Sequence, residues 1–135
     1  MSVFVDTSAW YSLWDAQETN HKQAQAILSH LKSKEELLIT NELVISETFA
    51  LLANRIGWQA SRQAAQAITD NKSVSIMILT PEQWQETCLR YIHGSGRLSF
   101  VDCSAFVTME SRKIKKAFAF DEDFNKAGFE LIKPG

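Results

Sequence analysis

The chain has 135 residues, enough for one ordinary domain and too few for a separate cofactor-binding half. With 45% hydrophobic residues, 2 Pro and 5 Gly, it has the composition of a packed core and not of a disordered tail. A formal net charge of -2 argues against the broad positive field of a generic duplex binder, although a metal on carboxylates would add local positive charge that a count of Lys and Arg misses.

In chain order, Val3 to Val5 reads as a first strand, followed by Thr7 and Ser8 as N-cap types and a short helix from Ala9 to Trp14. Thr19 and Asn20 precede a helix from His21 to Lys32, with Ala24, Ile27, Leu28 and Leu31 on one face. Leu37 to Thr40 reads as a second strand and Glu42 to Ile56 as a buried helix stopped by Gly57. A surface helix over Trp58 to Asp70 leads to a third strand, Val74 to Leu79.

Pro81 opens a helix over Glu82 to His93, and Gly94, Ser95 and Gly96 mark a loop. A helix follows from about Asp102 to Arg112, then a fourth strand over Ala117 to Phe120. Asp121 to Lys126 reads as a turn or single helical turn, and Phe129 to Ile132 as a short last strand. Short apolar runs alternating with longer amphipathic ones are the pattern of β-α units. The expected fold is therefore a single α/β domain over residues 1–135, with a mainly parallel central sheet of four to five strands flanked by helices.

Cys88 and Cys103 have no CxxC spacing and no accompanying histidine pair, which argues against zinc and fits a reducing compartment. The apolar opening before Asp6 is too short for a secretory segment, and no run approaches membrane-spanning length, so a cytoplasmic protein without a membrane partner is expected.

Four acids carry the chemical argument: Asp6 closing the first strand, Glu47 inside an apolar helix, Asp102 opening another, and Asp121 closing a late strand. In open parallel sheets, ligands bind beyond the carboxyl ends of strands, which is where Asp6 and Asp121 stand. Two unit charges about 4 Å apart repel by roughly 4 kcal/mol at an effective dielectric near 20. Converging carboxylates therefore either take up protons or capture a hard cation. Glu47, among Val44, Ile45, Phe49, Leu51 and Leu52, is expected to be buried, and no Lys or Arg lies one helical turn away to pair with it.

The segments VFVDTSAW (Val3 to Trp10), ITNELVISETFALL (Ile39 to Leu52), LSFVDCSAF (Leu98 to Phe106) and AFAFDEDFNKAGFELI (Ala117 to Ile132) occur in an order and at separations that resemble the PIN-domain nucleases, especially the single-domain ribonuclease toxins called VapC. The resemblance covers nearly the whole chain. It matches Asp6, Glu47, Asp102 and Asp121 to the family's catalytic and metal-binding acids, and Ser8 to its accessory hydroxyl residue beside the first Asp. Because Asp121, Glu122 and Asp123 all precede Phe124, Asp123 is an alternative late ligand.

The resemblance implies hydrolysis of an RNA phosphodiester with one or two Mg²⁺ or Mn²⁺ ions, giving 5′-phosphate and 3′-hydroxyl ends. It also implies a homodimer silenced by a cognate antitoxin. Arg97, on the loop leading to Asp102, is a candidate contact for a substrate phosphate, with plain solvent exposure as the competing reading. Arg112, Lys113, Lys115 and Lys116 read as a solvated helix end, and His21, His30 and His93 lack catalytic spacing. Trp10 and Trp14, one turn apart, belong to the core unless part of their face is left open for a partner.

Two other readings compete. One is a PIN-like binding scaffold without catalysis. The other is a phosphomonoester hydrolase using an aspartyl-phosphate, a class that wants a second Asp two positions after the first, where Ser8 stands.

Overall fold

Val3, Phe4 and Val5 are each at most 1% exposed, and this run of three apolar residues without alternation is what a strand covered on both faces requires. A computed structural model of the chain describes residues 1–134. The run lies in β1 (Ser2–Val5), the central strand of a five-stranded sheet with β2 (Leu37–Asn41), β3 (Val74–Met77), β4 (Lys116–Phe118) and β5 (Glu130–Leu131). The order is β3-β2-β1-β4-β5 and every pairing is parallel. Phe4 is in register with Ile39 on one side and Ala117 on the other.

Seven helices among the described residues flank the sheet: α1 (Thr7–Trp14), α2 (His21–Ser33), α3 (Glu42–Arg55), α4 (Trp58–Asp70), α5 (Pro81–Ile92), α6 (Phe100–Arg112) and α7 (Asp123–Lys126). α2 buries Ala24, Ile27 and Leu31, a stripe at helical spacing. α6 is buried continuously from Cys103 to Met109, and Phe106 packs edge-on against Phe124 of α7. Trp10 is in the core, its indole N–H directed at Thr40 Oγ1. No helix of the described residues is long and apolar enough to cross a membrane.

The elements differ from the sequence expectation at their ends, in most cases where a side chain takes over a backbone group. α1 starts at Thr7 and not at Ala9, since Asp6 is itself the cap and accepts from the Ser8 N–H. β3 stops at Met77 because the Leu79 N–H turns to the Glu42 carboxylate at 3.0 and 3.1 Å. β4 stops at Phe118, after which the Phe120 N–H donates to Ser8 Oγ at 2.9 Å. α6 begins at Phe100, with Ser99 and Asp102 forming a reciprocal capping box, so Asp102 occupies the third helical position instead of opening the helix. β5 is limited to Glu130–Leu131 within the expected Phe129 to Ile132.

Strand order reverses between β1 and β4, since β2 and β3 extend the sheet on one side and β4 and β5 on the other. The connections leaving β1 and β4 therefore diverge, opening a crevice at their carboxyl ends. The Asp6 N–H donates to the Phe118 carbonyl at 3.1 Å and closes the floor of that crevice.

Candidate metal centre

Asp6 sits where β1 becomes α1, only 5% exposed. Its Oδ2 accepts from the Ser8 N–H at 3.3 Å and from Ser8 Oγ at 2.8 Å. Burial pushes its pKa up to about 6, against the lowering effect of the Ser8 hydrogen bonds, and the nearby charge of Asp102 pushes it further the same way.

Asp102, Asp121 and Asp123 each present a carboxylate oxygen, and the three oxygens lie within 4.8 Å of one another. They come from different elements: Asp102 from the first turn of α6, Asp121 from the link after β4, Asp123 from the start of α7. Asp121 Oδ1 accepts from the Asp123 N–H at 2.9 Å, which folds the link back and brings both late acids to the same place. Burial raises the pKa of Asp121, and the charges of Asp123 and Asp102 add to the rise. The cluster carries repulsion that a cation would relieve. Oxygen-only donors at this spacing fit a hard divalent ion, whose ligand distances of roughly 2.0–2.6 Å allow one ion to touch all three.

The expected acids are thus brought together unequally. Asp102 and Asp121 join Asp123 directly, and Asp6 lies close enough to Asp102 to feel its charge. Glu47 corrects the expectation of full burial: it is half-buried, stands outside the three-acid set, and needs no buried counter-ion. Its position on α3 leaves it partly open to solvent, while Val44, Ile45, Thr48 and Leu52 take the helix's buried side.

Arg97 behaves differently from a free phosphate contact. Its guanidinium pairs with Asp123, with 54% of the Arg97 side chain exposed. In this structure the arginine partly neutralises the three-acid cluster from its rim. Ser8 is the second residue of α1 and not its cap, which is Asp6, and its hydroxyl ties Asp6 to the Phe120 N–H, one residue before Asp121.

Sequence reasoning passed over Asn41. This fully buried residue ends β2 and caps α3, its Oδ1 accepting from the Val44 N–H at 2.9 Å. Its Nδ2 donates to Ser104 Oγ and Thr108 Oγ1 on α6, at 3.2 and 3.1 Å. Asn41 thereby fixes the helix carrying Glu47 against the helix carrying Asp102. An Asn between an apolar strand and an apolar helix is a cap signal that the sequence does display.

The family model for the PIN domain matches residues 3–130. The chain is 36% identical over 135 residues to the 23S rRNA-specific endonuclease VapC20 of Mycobacterium tuberculosis, in strains CDC 1551 and H37Rv alike, with 98% of each chain covered. The crystal structure of M. tuberculosis VapC20, described as a sarcin-ricin loop cleaving toxin, superposes with a TM-score of 0.86 at 33% identity, covering 98% of this chain and 99% of that one. A Pyrobaculum aerophilum protein, PAE2754, shares the fold at a TM-score of 0.63 and 20% identity, covering 97% of this chain and 89% of its own.

Proposed function

The chain belongs to the PIN-domain family, in its VapC-like branch, and from that premise we propose that it is a metal-dependent endoribonuclease acting as the toxin of a toxin-antitoxin pair. The observation that carries the reading is the convergence of Asp102, Asp121 and Asp123 at the reversal point of the sheet, with Asp6 beside them. Likeness to the mycobacterial relative supports ribosomal RNA as substrate and the sarcin-ricin loop as the first one to try.

In this reading Asp102, Asp121 and Asp123 hold Mg²⁺ or Mn²⁺ with Asp6 beside them, and family resemblance adds Glu47 of α3 as a further acid. When bound, such an ion supplies neutralisation of phosphate charge and activation of water. Asp6 adds its charge to the site once it gives up the proton that burial favours, and Ser8 holds its Oδ2 in place. Arg97, when released from Asp123, is placed to meet a substrate phosphate.

The apolar side chains of Trp84, Leu89, Tyr91 and Ile92, all exposed on α5, support a second copy of the chain as a partner. Trp10, Leu13, Trp14 and Leu28 border a groove of about 240 Å³ that supports docking of an antitoxin segment.

The test is cleavage of a sarcin-ricin-loop RNA hairpin with Mg²⁺, with Mn²⁺ and with chelator, by the wild type and by Asp102→Asn. Cleavage that needs metal and Asp102 supports the reading. Metal and RNA binding without cleavage would favour the scaffold, and hydrolysis of small phosphomonoesters would favour the phosphatase. Growth arrest on expression, relieved by Asp102→Asn, tests the toxin part separately.

A further inference from the structure

A cleft of about 290 Å³ lies between α1 and α3, and Ser8 belongs both to its wall and to the acidic centre. Thr7 and Phe120 line the same end, and Arg55 borders it with Tyr11, Ser12 and Asn20. Resting on the ribonuclease reading, we propose that this cleft is a subsite for an RNA backbone phosphate next to the one that is cut, with Arg55 as its ligand.

Glu47, Leu51 and Arg55 follow one another at four-residue intervals on α3 and so share one helical face. Eight residues of helix put Arg55 about 12 Å along the axis from Glu47. The face runs from the carboxylate of Glu47 to a cation, and a cation near a carboxylate-lined site favours entry of a polyanion.

Arg55 reaches the Tyr11 hydroxyl and feels the charge of Asp15, yet most of its guanidinium faces outward. It is exposed and forms no ion pair among the described residues, unlike Arg97, whose charge is engaged by Asp123. Its guanidinium carbon lies 5.1 Å from the centre of the Tyr11 ring. Tyr11 is buried and its hydroxyl donates to Asp15 Oδ2 at 2.6 Å, so the ring under the guanidinium is fixed. A guanidinium held over a fixed ring loses less freedom when it takes up a phosphate.

The other lining groups agree. Asn20 stands at the N-cap of α2 without using its side chain there, leaving the amide free to donate. Glu18 is the carboxylate among the lining residues, and its repulsion leaves Arg55 as the place where an anion is held. The charge of Arg55 favours a backbone phosphate as the group held there.

The test measures kcat, KM and the salt dependence of KM for the wild type, Arg55→Gln and Arg55→Lys on one RNA hairpin, with Mn²⁺ calorimetry on each protein. Arg55→Gln should raise KM about ten-fold with the loss falling on KM rather than kcat. It should also flatten the slope of log KM against log salt by about 0.7, the share of one phosphate on a single strand. Arg55→Lys should keep that slope while raising KM less. All three should bind Mn²⁺ equally, which separates a phosphate contact from damage to the metal centre or the fold.

An unchanged KM and salt slope in Arg55→Gln, in the face of cleavage by the wild type, would overturn the subsite and leave the ribonuclease reading intact. Identical slopes for the Lys and Gln variants would overturn it too. A wild type that neither cuts nor binds RNA would remove both.

Discussion

The Ser8 hydroxyl donates to Asp6 Oδ2 at 2.8 Å and thereby joins two parts of the acidic centre, because Ser8 Oγ itself accepts from the Phe120 N–H at 2.9 Å. Ser8→Ala removes the side-chain donor to a buried carboxyl and strips Phe120 of its partner. The expected cost is about 1–3 kcal/mol, the usual range for a buried polar group left unsatisfied. The Ser8 hydrogen bonds lower the pKa of Asp6, so the substitution should also raise it and shift the pH midpoint of Mn²⁺ binding upward. Urea denaturation and calorimetry across pH 5 to 8 measure both effects.

Asp6 gives a signed pH dependence. Its folded pKa of about 6 lies above its ordinary value of 3.8, so between these pH values the folded state holds a proton that the unfolded chain has lost. The metal-free protein should therefore lose stability as pH rises through that window, by about 3 kcal/mol from this group at the full displacement. Asp6→Asn keeps the helix cap, since Asn ranks with Asp there, and should flatten this part of the profile. The variant should be more stable than the wild type at pH 7.5 without metal and should lose that advantage with saturating Mn²⁺. Urea midpoints at pH 4.5 and pH 7.5 decide it; parallel profiles for the two proteins would contradict the assignment of a costly buried charge.

Arg97 pairs with Asp123, the same carboxylate that a metal ion at the three-acid cluster would need. The pair is exposed on the arginine side, and exposed ion pairs contribute about 0.2–1 kcal/mol. Arg97→Gln should therefore tighten Mn²⁺ binding by no more than about five-fold. Weaker metal binding in this variant would mean that the arginine positions Asp123 for the ion and does not oppose it.

Much of the architecture is legible in the chain because the parallel sheet leaves a strong pattern: Val3 to Val5 is buried on both faces, and the helices show apolar stripes at their own period. The acids at strand ends follow from the same logic, since Asp6 stands where β1 must give way to α1. What the sequence withholds is distance across the fold. Asp123 is one of three neighbouring acidic residues, and only the turn made by its own N–H onto Asp121 puts its carboxylate with Asp102. Glu47 looks buried from its neighbours in sequence, yet helical geometry turns it partly outward. Arg55 closes an unremarkable helix end until folding lays it over Tyr11, 44 positions earlier by the difference in their numbers.

Asn41 is the clearest case of a residue whose type is readable and whose partners are not, since Ser104 and Thr108 come from a helix more than sixty residues away. Asn41→Ala removes the cap of α3, worth typically about 1 kcal/mol, together with two buried hydrogen bonds to α6. The total loss should be about 2–3 kcal/mol, because Ser104 and Thr108 keep backbone acceptors for their own hydroxyl protons at Val101 and Ser104. Thr108→Val should cost less, and the double variant should fall short of the sum, as expected for partners in one network. The same loss of register should weaken Mn²⁺ binding, since Asp102 rides on α6 and Glu47 on α3. Additive stability losses with full metal affinity would show that the two helices hold their places without this bridge.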